Sequence, residues 1–310
     1  MFDLFRRLML AIQKTFNNFD PSVKTRFSDE ESLSKNPPIF IIGSPRAGST
    51  LLFQVLSGQF QLSYISNIMA AFPSLMVRLL QFFPSAARGY TGEIKESRYG
   101  YIPGIFSPNE SGKILAKWLE DSQDPNHDIY VRRTFAAITN LSGCPMVFKN
   151  QNRLTVNIDR LESIFDNARY ISIERNPLYN AQSLLIARRE VLADDQAWFS
   201  AKPPGYEKHL DKDPYFQVLW QVLSLQKIVE KVRLRIPEER FITLDYEEFC
   251  ANPGLILKQM GQKYNLCWRA GSNPDAIKLT ASKKIKLTDE EWIRLTETYQ
   301  EIKKSALFEE

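Results

Sequence analysis

Between Gly43 and Thr50 the chain reads Gly-Ser-Pro-Arg-Ala-Gly-Ser-Thr, a run whose residue types suit the holding of an oxyanion. Gly43 and Gly48 let the backbone turn sharply and come close to a ligand. Arg46 adds a planar fork of donors, and Ser49 and Thr50 add hydroxyls. Before the run stands Pro38-Ile39-Phe40-Ile41-Ile42, apolar throughout and too short for a helix; after it, Leu51 to Leu56 resume at helical spacing. Strand, tight loop and helix in that order aim several N–H groups and the positive end of a helix at one point, which is how proteins hold phosphate or sulfate. A plain glycine turn would explain Gly43 and Gly48 but leave Arg46, Ser49 and Thr50 without a purpose. The run is not a Walker A loop, because no Lys-Ser or Lys-Thr pair follows the second glycine.

A second cluster is Glu174-Arg175-Asn176-Pro177, with Ser183 eight positions after Arg175 and Arg188-Arg189 beyond. Arg175 leaves the carboxyl end of the apolar segment Tyr170-Ile171-Ser172-Ile173, and Ser183 falls about two turns into the helix that follows, so both can face one crevice. An arginine fork and a hydroxyl suit a phosphate monoester, which carries roughly −1.5 to −2 charges and three strong acceptors. Taken alone, Arg175 reads equally well as the partner of a nearby carboxylate.

The elements that must position these groups are legible as buried strands: Pro38 to Ile42, Met146-Val147-Phe148 ending at Lys149, Tyr170 to Ile173, and Phe241-Ile242-Thr243-Leu244 ending at Asp245. Each is followed by a helical stretch, so the fold expected is α/β, a P-loop-like central parallel sheet flanked by helices on both faces, with its ligand at the strands' carboxyl ends. Asn176 before Pro177 and Asn252 before Pro253 read as helix caps with proline in the first turn. Thr288 with Glu291, and Ser107-Pro108-Asn109-Glu110, read as capping boxes. From Pro73 to Gly112 the pattern is irregular, rich in Pro, Gly and aromatics, and suits substrate-side loops and short helices.

At 310 residues with 44% hydrophobic content the chain can bury one large core. The organisation expected is an N-terminal helix and linker over residues 1–35 and one domain over 36–310. A net charge of +4 is too small for a dedicated nucleic-acid binder, yet it suits a cleft for a multiply anionic ligand. Cys144, Cys250 and Cys267 have neither metal-ligand spacing nor an even count, and two histidines, His127 and His209, read as surface residues, are a poor inventory for zinc or a His-centred triad. No metal is expected. Lacking a membrane-spanning run or a secretory signal, the protein is expected in the cytoplasm. Residues Phe2 to Phe19 alternate apolar and basic groups at helical spacing, which suits a peripheral membrane contact or, more commonly, a helix packed on the domain.

Together the two clusters resemble a known pair. Pro45-Arg46-Ala47-Gly48-Ser49-Thr50 resembles the 5′-phosphosulfate loop of the sulfotransferases that use PAPS (3′-phosphoadenosine 5′-phosphosulfate), and Arg175-Asn176-Pro177 with Ser183 resembles their 3′-phosphate motif. Lys149 in Phe148-Lys149-Asn150, and Leu244-Asp245-Tyr246-Glu247-Glu248-Phe249 followed by Asn252-Pro253, extend the likeness to the bacterial and Golgi-type branch over Pro38 to about Leu266. The resemblance implies that Arg46, Ala47, Gly48, Ser49 and Thr50 hold the phosphosulfate and that Arg175 and Ser183 hold the 3′-phosphate. Transfer of the sulfuryl group to an acceptor hydroxyl then leaves PAP. Arg46 and Lys149 would stabilise charge. Many relatives have lysine and serine where this chain has Arg46 and Ala47, and Arg46, unable to give up a proton readily, is assigned electrostatic work alone. The Arg-Lys-Gly element of the cytosolic branch is not evident; Lys283 and Lys284 are weak candidates for its task.

A base must take the hydroxyl proton. Cytosolic relatives use a histidine shortly after the lysine corresponding to Lys149, but Asn150-Gln151-Asn152-Arg153 follows it here. Golgi-type relatives use a glutamate beyond the phosphosulfate loop, which singles out Glu93, Glu96 and Glu110. Glu96 is the first choice, because Glu110 has a capping role to explain it. A small-molecule or glycan acceptor is expected, a carbohydrate by resemblance, with Tyr90 to Phe106, Trp118 and Trp198 as aromatics for its pocket. Two other functions stay open: a P-loop-like nucleotide kinase or hydrolase, for which Asp245 would imitate a Walker B aspartate, and a non-catalytic nucleotide-binding module.

Overall fold

The computed structural model describes residues 29–95, 97, 100–119, 124 and 126–305. The stretch 2–19 and Glu96 lie outside the described residues. Among the described residues four strands, β1 (Ile39–Ile42), β2 (Val147–Lys149), β3 (Arg169–Glu174) and β4 (Phe241–Asp245), form an all-parallel sheet in the order β2-β1-β3-β4. The helices are α1 (Glu31–Lys35), α2 (Ser49–Gln59), α3 (Asn67–Ala71), α4 (Met76–Phe82), α5 (Gly112–Trp118), α6 (His127–Ser142) and α7 (Ile158–Ile164). They continue with α8 (Pro177–Leu192), α9 (Pro214–Arg233), α10 (Tyr246–Ala251), α11 (Pro253–Tyr264) and α12 (Asp289–Lys304). The expected strands and the parallel α/β architecture are all present.

β1 is apolar without interruption because it is covered on both faces. Phe40 and Ile42 join a core with α4, α6, α7 and the end of α9, while Ile39 and Ile41 join the opposite core with α2, α10 and α11. Phe40 lies 5.8–6.4 Å, centroid to centroid, from Phe135, Phe148, Phe165 and Tyr170, so aromatic packing locks the sheet to α6. The chain leaves β1 to build β2 on one side and later β3 on the other. That reversal opens a crevice at the carboxyl ends, the usual ligand site of such sheets.

A third core of α8, α9 and α12 holds the C-terminal part in place. Thr288 and Glu291 make the expected capping box, and Glu291 also receives Arg189 at 2.7 Å. The hydrogen bond from Arg189, then that from the Thr288 backbone, pull the Glu291 carboxyl down to about 2. The folded value lies below the unfolded one of about 4.3, so this contribution is complete above that pH and is lost as pH falls toward 2. Glu291→Gln is expected to lower the melting temperature at pH 7 and to flatten its fall across that acid window, as measured by thermal scans over pH.

Three local expectations are corrected. Asn252 makes no side-chain cap bond, since it also ends α10 and its backbone is not in the capping conformation. No helix starts after Ser107; α5 begins at Gly112, behind Ser111 in the left-handed region. His127 and His209 are half-buried, and His209 packs on Trp220 and Phe216. Among the described residues no helix is long and apolar enough to cross a membrane.

Candidate functional site

The loop after β1 is built around two glycines that no other residue can replace. Gly43 has φ +124° and lies so near Ile173 that a Cβ would stand 2.6 Å from its carbonyl oxygen; Gly48 has φ +96° and a Cβ there would strike the Tyr246 ring. Arg46 is itself left-handed at φ 67°, a costly conformation for a non-glycine residue and one often found at ligand sites. Thr155 staples the loop's base: its hydroxyl accepts from Gly43 N at 3.0 Å and donates to Gly43 O at 2.8 Å. Gly48 precedes α2 without any side-chain cap, so the amides of its first turn are left for a ligand. Ala47 faces the other way and is buried in the core, contributing backbone only.

Arg175 and Ser183 sit where strand β3 and helix α8 put them, and they meet the loop directly. Arg46 Nε donates to Ser183 Oγ at 3.1 Å, and Arg175 Nη1 donates to the Arg46 carbonyl at 3.2 Å. Asn176 caps α8 by accepting from Leu178 N, and Asn180 Nδ2 ties α8 to Pro45 O at 2.6 Å. Arg46, Gly48, Ser49, Thr50, Lys149, Arg175 and Ser183 line one cavity of about 260 Å³. A smaller one of about 100 Å³ shares Arg46, Arg175 and Ser183 and adds Ser282 and Lys286. Of the three nearby lysines, Lys286 lines this cavity, and Lys283 and Lys284 do not.

Arg188 and Arg189 turn away from the crevice. Arg188 is fully buried, donates to Gln217 Oε1 and the Asp195 carbonyl, and is pushed down to about 10 by burial; Arg189 pairs with Asp195 and Glu291. Asp245 Oδ1 accepts from Glu248 N as the cap of α10, which occupies the residue that a Walker B reading would need.

On the far side of the cavity Glu110 forms an ion pair with Lys149, which is itself buried, and its carbonyl accepts from Asn150 Nδ2 at 3.1 Å. Gly100 permits this arrangement, because a Cβ there would collide with the Glu110 carboxylate. Glu110 is thus a cavity residue and no cap, contrary to expectation. Glu93 is exposed and outside the cavity lining. Tyr90 and Trp118 are buried in the two cores, and Trp198 packs with Trp220, Tyr206 and Arg188, so none of the three lines the cavity. Phe199 and Ser200 line it instead.

Sequence reasoning missed several wall residues, among them Tyr246, Phe199 and Ser200. Tyr246, at the end of β4, has Arg175 over its ring at 4.9 Å and closes the cavity beside Gly48. Its place one residue past a buried strand was the available signal. Phe199 and Ser200 had none, because they reach the cavity on an excursion between α8 and α9 that Arg188, Gln217 and Gln221 hold from inside.

The residues suit a nucleotide with two separated anionic groups. Arg175 Nε is buried and has no hydrogen-bond partner, with the Glu247 carboxylate 4.0 Å away. Arg46 and Arg175 line one crevice above the carboxyl ends of parallel strands, the place where α/β proteins bind nucleotides. The chain belongs to the sulfotransferase family, whose model matches residues 37–270. The family uses PAPS as donor. Among solved structures the chain is similar to sulfotransferase STF9 from Mycobacterium avium, at 16% identity over 90% of this chain and 81% of that one, TM-score 0.50. It is also similar to sulfotransferase STF1 from Mycobacterium tuberculosis H37Rv, at 13% identity over 90% and 80%, TM-score 0.50. No curated protein matches the chain.

Proposed function

We propose that this enzyme moves the sulfuryl group of PAPS to a hydroxyl of a small-molecule or carbohydrate acceptor, with Glu110 as the base. The observation that carries this reading is the single cavity in which the Arg46 loop and the Arg175–Ser183 pair stand at one end and the Glu110–Lys149 pair at the other. PAPS supplies an activated sulfuryl group joined to a phosphate that can leave.

Gly48, Ser49 and Thr50 offer backbone amides and hydroxyls to the phosphosulfate, and Arg46 and Lys149 neutralise charge that builds on its oxygens. Arg175 and Ser183 hold the 3′-phosphate, with Lys286 at the rim. The acceptor oxygen bonds to sulfur as the bond from sulfur to the phosphate oxygen breaks; that electron pair leaves with PAP, and the hydroxyl proton passes to the Glu110 carboxylate. The ion pair with Lys149 aims the Glu110 carboxylate, while the neutral Gln151 and Asn150 beside it have no basic nitrogen to offer. In this reading Glu110 takes the role that sequence reasoning gave to Glu96.

Incubation of the purified protein with PAPS labelled in the sulfuryl group and an extract of host metabolites is expected to move label onto an acceptor and to release PAP in equal amount. PAP binding without any labelled product would favour a nucleotide-binding module over an enzyme.

A further inference from the structure

Among the described residues that line the 260 Å³ cavity, two have a buried side-chain nitrogen or oxygen without a hydrogen-bond partner: Arg175, at Nε, and Gln151, at Oε1. The first is a donor, suited to an anionic nucleotide. The second is an acceptor, and phosphate or sulfate oxygens carry no proton to give it. Gln151 is only 3% exposed, so this oxygen loses its water without a replacement. Its amide is fixed as well, because Nε2 donates to the Ile41 carbonyl of β1 at 3.3 Å and leaves Oε1 as the free end.

Topology says on which side of the cavity Gln151 stands. Strand order puts β2 and β3 on opposite sides of β1. Arg175 and Ser183 belong to the β3 side, so a nucleotide running from the Arg46 loop toward them carries its ribose hydroxyl and adenine amine away from β2. Gln151 lies two residues past β2, beside Lys149 and Asn152, on the side of the Glu110 carboxylate. In the donor pose proposed above, the nucleotide's own donors lie away from Gln151, which leaves the acceptor as the source of a partner for Oε1.

The reacting hydroxyl has one proton, which goes to Glu110 as the bond from its oxygen to sulfur forms. That proton cannot also satisfy Gln151. We propose that Gln151 Oε1 binds a second O–H or N–H next to the reacting hydroxyl, so that the enzyme selects acceptors of the vicinal diol or amino-alcohol class. The neighbouring wall fits such a polar ligand: Asn152 Oδ1 and Ser200 Oγ meet across the cavity lining at 2.5 Å, with Phe199 as its apolar face. This inference rests on the sulfuryl-transfer reading given above.

The test compares cyclohexanol with trans-cyclohexane-1,2-diol as acceptor probes, using labelled PAPS and reading kcat/KM for the alkyl sulfate. Wild type is expected to prefer the diol by at least about tenfold, well beyond the factor of about two owed to its paired hydroxyls, because a site with an unpaired polar group discriminates against a ligand that leaves it so. Gln151→Met keeps the side-chain length and removes the acceptor atom; the ratio is expected to fall to about two while PAP affinity holds. The wild-type ratio needs no variant, so misfolding of Gln151→Met cannot shelter the idea. A wild type that binds PAP and sulfates both alcohols at that statistical ratio overturns the role of Gln151 alone, as does a Gln151→Met that keeps the preference. Joint loss of PAP affinity and selectivity marks Gln151 as a prop for β1 and also overturns it. A wild type that binds no PAP removes the donor reading and this inference with it.

Discussion

Replacing Glu110 by Gln is expected to lower kcat by about 10²- to 10⁴-fold, the range that a positioned general base contributes, while PAP affinity is not reduced. The variant preserves size and a hydrogen bond toward Lys149, but removes the proton acceptor together with the charge that balances Lys149. Lys149 is 7% exposed in its side chain and Glu110 26%, so the carboxylate is the member of the pair open to the cavity. Steady-state kinetics with labelled PAPS, and calorimetry with PAP, check the two halves separately. If kcat were retained, the base would have to be sought elsewhere; if affinity fell with it, Glu110 would be holding the donor.

Arg175→Ala is expected to weaken PAP binding by about 100-fold or more. Each charge-assisted hydrogen bond of a buried arginine is worth roughly 1.5–3 kcal/mol, and alanine forfeits the two that a guanidinium fork can make to one phosphate. Burial makes the figure large: the guanidinium lies over Tyr246, has a side chain only 9% exposed, and is held against the Arg46 carbonyl. Part of the loss will come through the loop, because Arg175 supports the backbone at Arg46 as well as facing the ligand. Ser183→Ala leaves the Arg175 contact to the loop backbone in place, removes only a neutral hydroxyl that also receives Arg46 Nε, and is expected to cost less.

The strands and the glycine loop after β1 were legible because their signals are local. β1 is buried on both faces, so it reads as an apolar run; Gly43 and Gly48 take backbone angles that only glycine adopts easily, so they punctuate the sequence. Glu110 was misread for the opposite reason. Ser107-Pro108-Asn109-Glu110 matches a capping pattern, but Ser107 donates to Pro103 O and the backbone continues past Glu110 to a turn at Ser111. What fixes Glu110 is Lys149, 39 residues on, together with the missing side chain of Gly100.

Other parts of the wall were hidden by the same dependence on distant contacts. Trp118 and Tyr90 belong to the core because Phe135 and Gln54 receive them, facts that aromatic content alone does not carry. Lys286 reaches the cavity of Arg46, Arg175 and Ser183 because Gln182 accepts from its backbone amide and donates to Lys284 O, folding the 282–287 segment over α8. The two cation clusters were readable one by one; that they touch, through Arg46 and Ser183, required the fold.

Comparing PAP with 5′-AMP by calorimetry tests the central claim most directly, because the two ligands differ in the 3′-phosphate that Arg175 and Ser183 are assigned. Wild type is expected to bind PAP at least about 100-fold more tightly than 5′-AMP, with the gap nearly closed in Arg175→Ala. Equal affinity for the two nucleotides in wild type, or an unchanged gap in Arg175→Ala, would contradict it.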